Sequence, residues 1–255
     1  MKGIIAFFFL LIATKPAPDN VLSRFKTPEG YHQLPVDPGT FEDYLQQLPL
    51  KPAGTHTLTY KGRVAATDPY TAAVVDMSVG KEDLQQCADA VMRLRAEYLY
   101  EQKRFAEIAF HFENGFRCPY IQYANGYRYV KNHWVMKAKP DYGHKTFMNY
   151  MDLVFEYTGT PSLDKHLFKV AEPDKLQTGD VFIKGGTPGH CFIVLDVVEN
   201  AQHKKLFLLA QSFMPAQNIQ VLQDHGNPWF SLDQKADITY GNLIDVAYLK
   251  SFEKG

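Results

Sequence analysis

The chain has 255 residues, 45% of them hydrophobic and 22% charged, which is enough for a globular domain and excludes a disordered or collagenous chain. Its 27 Lys and Arg residues nearly balance 28 Asp and Glu residues. A net charge of -1 supplies no field that would attract nucleic acid, so we do not expect nucleic-acid binding.

The first predicted segment is an export signal. Lys2 precedes an apolar run at residues 4–13, which is about half the length that a helix needs to cross a bilayer. We interpret residues 1–19 as a signal peptide and expect an exported protein, periplasmic or extracellular, that does not span a membrane. Residues 20–255 are then predicted to form one domain, and we expect a monomer.

The first part of this domain is predicted to contain a wrapping segment, a strand and one long helix. Residues 20–54 are rich in Pro and Gly around one short helix at 40–48, which indicates a segment that wraps the domain. A strand at 72–77 precedes the longest helical pattern, which opens at residues 78–83 and runs to about residue 103. Cys87 lies on the apolar face of that predicted helix.

Hairpins, two helices and a β-rich last third are predicted to follow. Residues 110–130 carry two Asn-Gly pairs between aromatic residues, which predicts one or two β-hairpins. A helix at 145–157 and a short one from about residue 162 follow. Four β-rich runs then lie at 180–183, 190–198, 206–211 and 219–222. Helices followed by an antiparallel sheet predict an α+β fold.

The sequence lacks the motifs of metal, phosphate-binding and serine-hydrolase sites. The sequence has no HExxH or CxxC pattern, so no metal site is expected. Residues 185–189 are Gly-rich but lack the Lys-Ser/Thr of a phosphate-binding loop, and no Gly-x-Ser-x-Gly elbow occurs. We therefore expect no cofactor.

One cysteine and one histidine stand in suggestive positions. A nucleophilic thiol needs a neighbouring imidazole, which in turn needs a polar group to orient it. Cys87 lies early in the long helix, His190 begins one apolar strand, and Gln211 ends the next. If these strands pair antiparallel, His190 and Gln211 are neighbours. This predicts Cys87 as nucleophile, His190 as base and then acid, and Gln211 as orienter, with Gln85 or Gln86 as an oxyanion donor; of the two we favour Gln86.

The order of these pieces resembles the NlpC-type and CHAP-type branches of papain-like cysteine peptidases. The matching segments are QCAD (86–89), GDVF (179–182), GHCFIV (189–194) and AQS (210–212). The resemblance implies a papain-like core, with a long N-terminal helix packed on an antiparallel sheet and an aromatic-rich hairpin insertion. It also implies thiol attack on an amide of cell-wall peptide or of another envelope substrate.

Two features depart from that superfamily. The nucleophile there caps a helix, whereas Cys87 follows Gly80 by seven residues within the predicted helix. Ala88-Asp89 stands where Ser-Gly is common.

The chain also resembles, nearly end to end, an uncharacterised family of exported bacterial proteins best known from Bacteroidetes. The segments that carry this second resemblance are LPLKP (48–52), QQCADAVMRLRAEYL (85–99), FEYTGTPSL (155–163), GDVFIKGGTPGHCFIVLD (179–196) and AQSFMPAQNIQVL (210–222).

Other interpretations remain open. Cys87 is a small apolar residue that also suits a packed core, and Cys191 is expected to pack on the strand face opposite His190. Tyr127, Arg128 and Trp134 are candidate substrate-binding residues, although cross-strand packing explains them equally. A non-catalytic envelope protein that binds glycan or peptide through residues 110–134 is the alternative function. A structural or assembly partner on a decayed papain-like scaffold is a third.

Overall fold

The computed structural model describes residues 19–253. The predicted signal peptide lies outside the described residues except for its last position.

Six α-helices form in this part of the chain. They are α1 (Val21–Arg24), α2 (Phe41–Gln46), α3 (Cys87–Glu101), α4 (Tyr120–Ala124), α5 (His144–Tyr157) and α6 (Thr160–His166). Within residues 19–253, no helix combines the length and the apolar character needed to cross a membrane.

Thirteen β-strands accompany the helices. They are β1 (Tyr31–Gln33), β2 (Thr71–Val74), β3 (Ala109–His111), β4 (Arg117–Pro119), β5 (Tyr127–Val130), β6 (His133–Met136), β7 (Phe168–Lys169), β8 (Val181–Lys184), β9 (His190–Asn200), β10 (Lys205–Gln211), β11 (Gln220–Leu222), β12 (Trp229–Phe230) and β13 (Leu249–Ser251).

Nine of these strands form one antiparallel sheet. Its order is β2-β11-β10-β9-β8-β13-β7, with β1 paired to β9 and β12 paired to β10. The strands β3–β4 and β5–β6 form two separate hairpins. A large antiparallel sheet covered by a few helices confirms the α+β class.

Strand β9 lies at the centre of two cores. Cys191 and Ile193 face a core that also contains residues of α3, whereas Phe192 and Val194 face a second core with residues near the C-terminus. Because successive side chains of a strand point to opposite faces, an unbroken apolar run is buried on both sides. This explains why residues 190–198 read as a continuous hydrophobic stretch.

The long helix predicted at the start of the domain is not seen. Residues 78–86 are not helical, and α3 begins only at Cys87, after α1, β1, α2 and β2. The side chain of Arg93 reaches back to the Ser78 carbonyl and the Gln85 side chain, and the Asp83 carboxylate accepts a hydrogen bond from the Ala216 N–H at 2.6 Å. These contacts hold the segment out of the helix despite its helical pattern.

One of the two predicted hairpin turns is wrong. Asn114-Gly115 does connect β3 to β4, but Asn125-Gly126 follows the end of α4. The β5–β6 hairpin instead turns at Lys131 and Asn132, which have φ of 47° and 66°. An Asn-Gly pair suits a helix C-terminus as well as a hairpin, because both need a residue with positive φ.

The N-terminal segment is attached to the sheet through a buried carboxylate. Asp196 on β9 accepts hydrogen bonds from the side-chain amides of Gln33 at 3.0 Å and Gln46 at 2.7 Å. Both amides belong to the segment predicted to wrap the domain. This attachment places the segment across the central strand.

Candidate active site

The nucleophile candidate occupies the first turn of a helix. Cys87 is the first residue of α3, and Gln86 caps the helix with an extended backbone. The N-terminus of a helix carries a partial positive charge that favours an anion such as a thiolate. Cys87 is 8% exposed and lies in the wall of a cleft of about 460 Å³. Because α3 begins at Cys87, the helix dipole can stabilise a thiolate there. A helix that began at residues 78–83, as predicted, would have placed Cys87 too far from its N-terminus.

His190 and Gln211 are brought together by the pairing of β9 with β10. These strands pair antiparallel, with Ile193 opposite Ala210. His190 Nε2 lies 2.7 Å from Gln211 Oε1, as the predicted strand pairing requires. An amide oxygen only accepts hydrogen bonds, so Nε2 carries the proton and Nδ1 is the nitrogen available to a thiol.

The surroundings of Cys87 favour its thiolate. A hydrogen bond from the Cys191 thiol, and next the hydrogen bond and charge of the His190 ring, hold the pKa of Cys87 well below its usual range despite burial. Burial raises the pKa of Cys191 well above its usual range, so this thiol stays protonated and donates. Cys191 does pack away from His190 along the strand, as expected, but it packs against the candidate nucleophile.

Three aromatic rings surround the imidazole. Tyr240 stacks on the His190 ring at 4.6 Å between centroids and an angle of 15°, while Phe192 and Phe213 approach at 4.8 and 5.2 Å. His190 is only 1% exposed. Packed rings restrict the rotation of the imidazole, so its two nitrogens keep fixed directions.

The turn before His190 requires glycine. A Cβ on Gly189 would lie 2.1 Å from Thr160 Oγ1 and 2.6 Å from the Gly186 carbonyl oxygen. The β8–β9 turn therefore approaches the start of α6 as closely as the backbone allows. This contact fixes the point at which β9, and with it His190, begins.

The two adjacent glutamines differ in their surroundings. Gln85 is buried, and its side-chain oxygen accepts a hydrogen bond from Arg93. Gln86 forms part of the cleft wall, and its Nε2 lies 3.4 Å from Asp83 Oδ1. The structure therefore places Gln86, and not Gln85, where a side-chain donor could reach a substrate.

The three predicted substrate-binding residues lie elsewhere. Tyr127, Arg128 and Trp134 belong to the β5–β6 hairpin and do not form part of the Cys87 cleft. The Arg128 guanidinium stacks 3.9 Å from the Tyr123 ring centroid, and Trp134 packs against Phe116. Binding by this hairpin stays a prediction, now at a surface separate from the thiol.

The comparison with known families covers most of the chain. The family model described as domain of unknown function (4846) matches residues 21–243. The chain belongs to this family. No curated protein and no solved structure matches it. The matched span contains Cys87, His190, Gln211 and Tyr240, so the whole constellation lies within the family's domain.

Sequence reasoning missed three residues of the site. Tyr240 lies 50 positions after His190 and no local motif signals its return to the ring. Cys191 follows from strand alternation once the face covered by α3 is known. Asp89, whose Oδ2 accepts from the Gln86 N–H at 3.0 Å, could have been found as an acidic residue in the first turn of a helix that begins at Cys87.

Potential metal ligands do not cluster in this part of the molecule. Among residues 19–253, no group of three or more His, Cys, Asp or Glu side chains is arranged to hold a metal ion.

Proposed function

We propose that this protein is an exported thiol hydrolase with a papain-like, NlpC-type core, which cleaves amide bonds in cell-wall peptide or in another envelope substrate. The observation that supports this most directly is the Cys87–His190–Gln211 constellation beside an open cleft, with Cys87 at a helix N-terminus and 2.7 Å between His190 Nε2 and Gln211 Oε1. A thiol, a base and an orienting group in this relation form the machinery of nucleophilic amide cleavage.

The first chemical step is attack by sulfur. The Cys87 thiolate forms a bond to the amide carbonyl carbon, and the electron pair of the carbonyl π bond moves to oxygen. The backbone N–H of Cys87 and the side chain of Gln86 are the donors we assign to that oxyanion. The N–H groups in the first turn of α3 have no partner within the helix, which makes them suitable donors.

Proton transfer by His190 completes the reaction. When the tetrahedral intermediate collapses, the carbon–nitrogen bond breaks and His190 Nδ1 gives its proton to the leaving amine. Water then attacks the thioester, His190 accepts a proton from it, and the acid leaves as the thiolate forms again. Gln211 keeps Nδ1 directed at the sulfur throughout, because it holds Nε2 on the opposite side of the ring.

A test of this function compares two cysteine variants. Cys87→Ala should abolish release of amine from a panel of peptidoglycan peptides, while costing about 1 kcal/mol of stability or less. Cys118→Ala is the matched control, because Cys118 is a buried thiol outside the cleft, and it should retain hydrolysis. Amine release is followed by mass spectrometry and folding by thermal denaturation.

Two outcomes would contradict the proposal. Full hydrolysis by Cys87→Ala would remove the nucleophile assignment. A folded wild-type protein that leaves every wall peptide intact would favour the alternative, a binding protein that uses residues 110–134.

A further inference from the structure

The cleft beside Cys87 is lined by four carboxylates from three separate parts of the chain. Asp83 precedes α3, Asp89 lies in its first turn, Glu113 lies in the β3–β4 turn, and Glu156 lies at the end of α5. Among the described residues that line this cleft there is no Lys, Arg or His. Its surface charge is therefore of one sign.

Asp89 is a buried carboxyl group at this surface, and one of its oxygens is unsatisfied. Its side chain is 5% exposed, and while Oδ2 accepts from the Gln86 N–H, Oδ1 has no hydrogen-bond partner among the described residues. A buried carboxylate oxygen without a partner is costly, so a ligand that supplies a donor there gains that energy. Burial raises the pKa of Asp89, and a cation placed against Oδ1 would stabilise its ionised form.

Glu156 and Glu113 add negative charge to the same cleft. Glu156 lies in the last turn of α5, where the helix dipole is itself negative and a carboxylate is unfavourable. Glu113 Oε1 lies 2.9 Å from the position that a Cβ on Gly159 would occupy, so this carboxylate lies over the α5–α6 junction at the cleft. Both placements strengthen an electronegative cleft.

We propose that this cleft binds a positively charged group of the substrate, a primary ammonium, with Asp89 Oδ1 as its most buried acceptor and Glu113 and Glu156 as further acceptors. The inference rests on the proposed function and narrows it to amides that carry an ammonium group close to the scissile carbonyl. An ammonium has three donors to share among these oxygens. Its charge also offsets the repulsion between the Asp89 carboxylate and the Cys87 thiolate.

Charged thiol reagents test the inference without relying on hydrolysis. The probes are 2-aminoethyl methanethiosulfonate, a cation, and 2-sulfonatoethyl methanethiosulfonate, an anion, both of which form a disulfide with a thiolate and release methanesulfinate. Relative to a small free thiol, Cys87 should favour the cationic reagent by at least about tenfold at low salt. Mass spectrometry of the intact protein gives both rates.

Variants identify the groups responsible. Asp89→Asn keeps an oxygen for the Gln86 N–H and removes the charge, and the double variant Glu113→Gln/Glu156→Gln changes only exposed side chains. Each variant should lower the ratio of the cationic to the anionic reaction rate at Cys87 toward the ratio measured for the free thiol. Glu29→Gln removes the same charge from an exposed residue outside the cleft and should leave the preference unchanged.

Failure of this inference is distinguishable from failure of the proposed function. A preference equal to that of a free thiol, or one that survives both variants, overturns the cation site. Equal kcat/KM for cationic and neutral amides overturns it too, and leaves the hydrolase intact. Strong cation preference in a protein that hydrolyses no amide leaves the site standing and removes the hydrolase.

Discussion

Cys87 and Cys118 are both buried thiols, yet their surroundings shift their pKa values in opposite directions. Burial alone raises the pKa of Cys118 to about 12, whereas hydrogen bonds from Cys191 and His190 outweigh burial at Cys87 and lower its pKa. Because only a thiolate is alkylated quickly, iodoacetamide at pH 6 should modify Cys87 at least about 100-fold faster than Cys118 or Cys191. Peptide mapping after timed quenching measures the three rates.

The variant that tests the cause is His190→Ala. Without the imidazole, Cys87 loses both a hydrogen bond and a positive charge. Iodoacetamide at pH 6 should then no longer modify Cys87 faster than the other two cysteines. Cys191→Ala removes the thiol that donates a hydrogen bond to Cys87, so the rate advantage of Cys87 should become smaller but not disappear. Equal and slow labelling of all three thiols in the folded wild type would show that Cys87 is core packing.

Gln211 tests a positioning role at the same site. A neutral amide orients the imidazole but offers no charge to an imidazolium, so Gln211→Ala should lower kcat/KM by about tenfold. His190→Ala removes the proton transfer itself and should cost about 10²- to 10⁴-fold. Measuring kcat/KM against pH separates the two, because only Gln211→Ala keeps an imidazole that can transfer a proton.

Gln220→Ala is the control for Gln211→Ala. Gln220 is a buried glutamine on β11, the strand next to β10. Its side-chain oxygen accepts hydrogen bonds from Thr67 and Gln217. Gln220→Ala should therefore cost stability without changing the pH profile. If the two glutamine variants behave alike, Gln211 acts only through packing.

At the scale of elements, the turn between β8 and β9 sets the position of the histidine. Gly189→Ala would place a methyl group 2.1 Å from Thr160 Oγ1, and relief of that overlap must move the turn, β9 or α6. We expect a loss of about 1–3 kcal/mol and slower alkylation of Cys87, because His190 moves with the strand. Gly143→Ala, at the N-cap of α5, is the control: its Cβ would meet the Asp141 side chain at 3.1 Å, so it should cost less stability and leave the alkylation of Cys87 unchanged.

Local pattern predicted the strands of the site better than its helix. The run from Cys191 to Leu195 is apolar on both faces, and only a buried central strand accommodates it, so the contact between His190 and Gln211 follows from hairpin geometry. The start of α3 depends instead on Arg93, which reaches back to Ser78 and Gln85. A contact of that kind is invisible to residue periodicity. The return of Tyr240 to His190 is equally non-local.

At the scale of the whole molecule, buried carboxylates connect the sheet to its surroundings. Asp196 joins β9 to the N-terminal segment, and Asp180 lies at the start of β8, with Oδ2 accepting from the Gln177 N–H at 3.0 Å. Asp180 is 1% exposed, and its Oδ1 has no hydrogen-bond partner among the described residues. Folding therefore buries a carboxyl group that would be solvated in the unfolded chain.

This burial gives the stability a defined dependence on pH. Burial raises the pKa of Asp180 to about 7, with a small further contribution from Glu42, while hydrogen bonds from Gln177 and Ser251 and the charge of Lys205 oppose it. Below about pH 4 the group is protonated in both states and costs nothing. Between about pH 4 and 7 the unfolded chain releases its proton first, so stability falls as the pH rises, and above that range the loss is constant.

Asp180→Asn should remove this dependence, because the amide keeps an oxygen for the Gln177 N–H and does not ionise. The variant and the wild type should unfold with equal free energy at pH 4, and at pH 8 the variant should be more stable by on the order of 4 kcal/mol. Urea denaturation at each pH measures the difference. Asp174→Asn, at an exposed carboxylate, is the control and should follow the wild type at every pH. A variant that is less stable at pH 8 would mean that the ionised carboxylate is a favourable part of the fold.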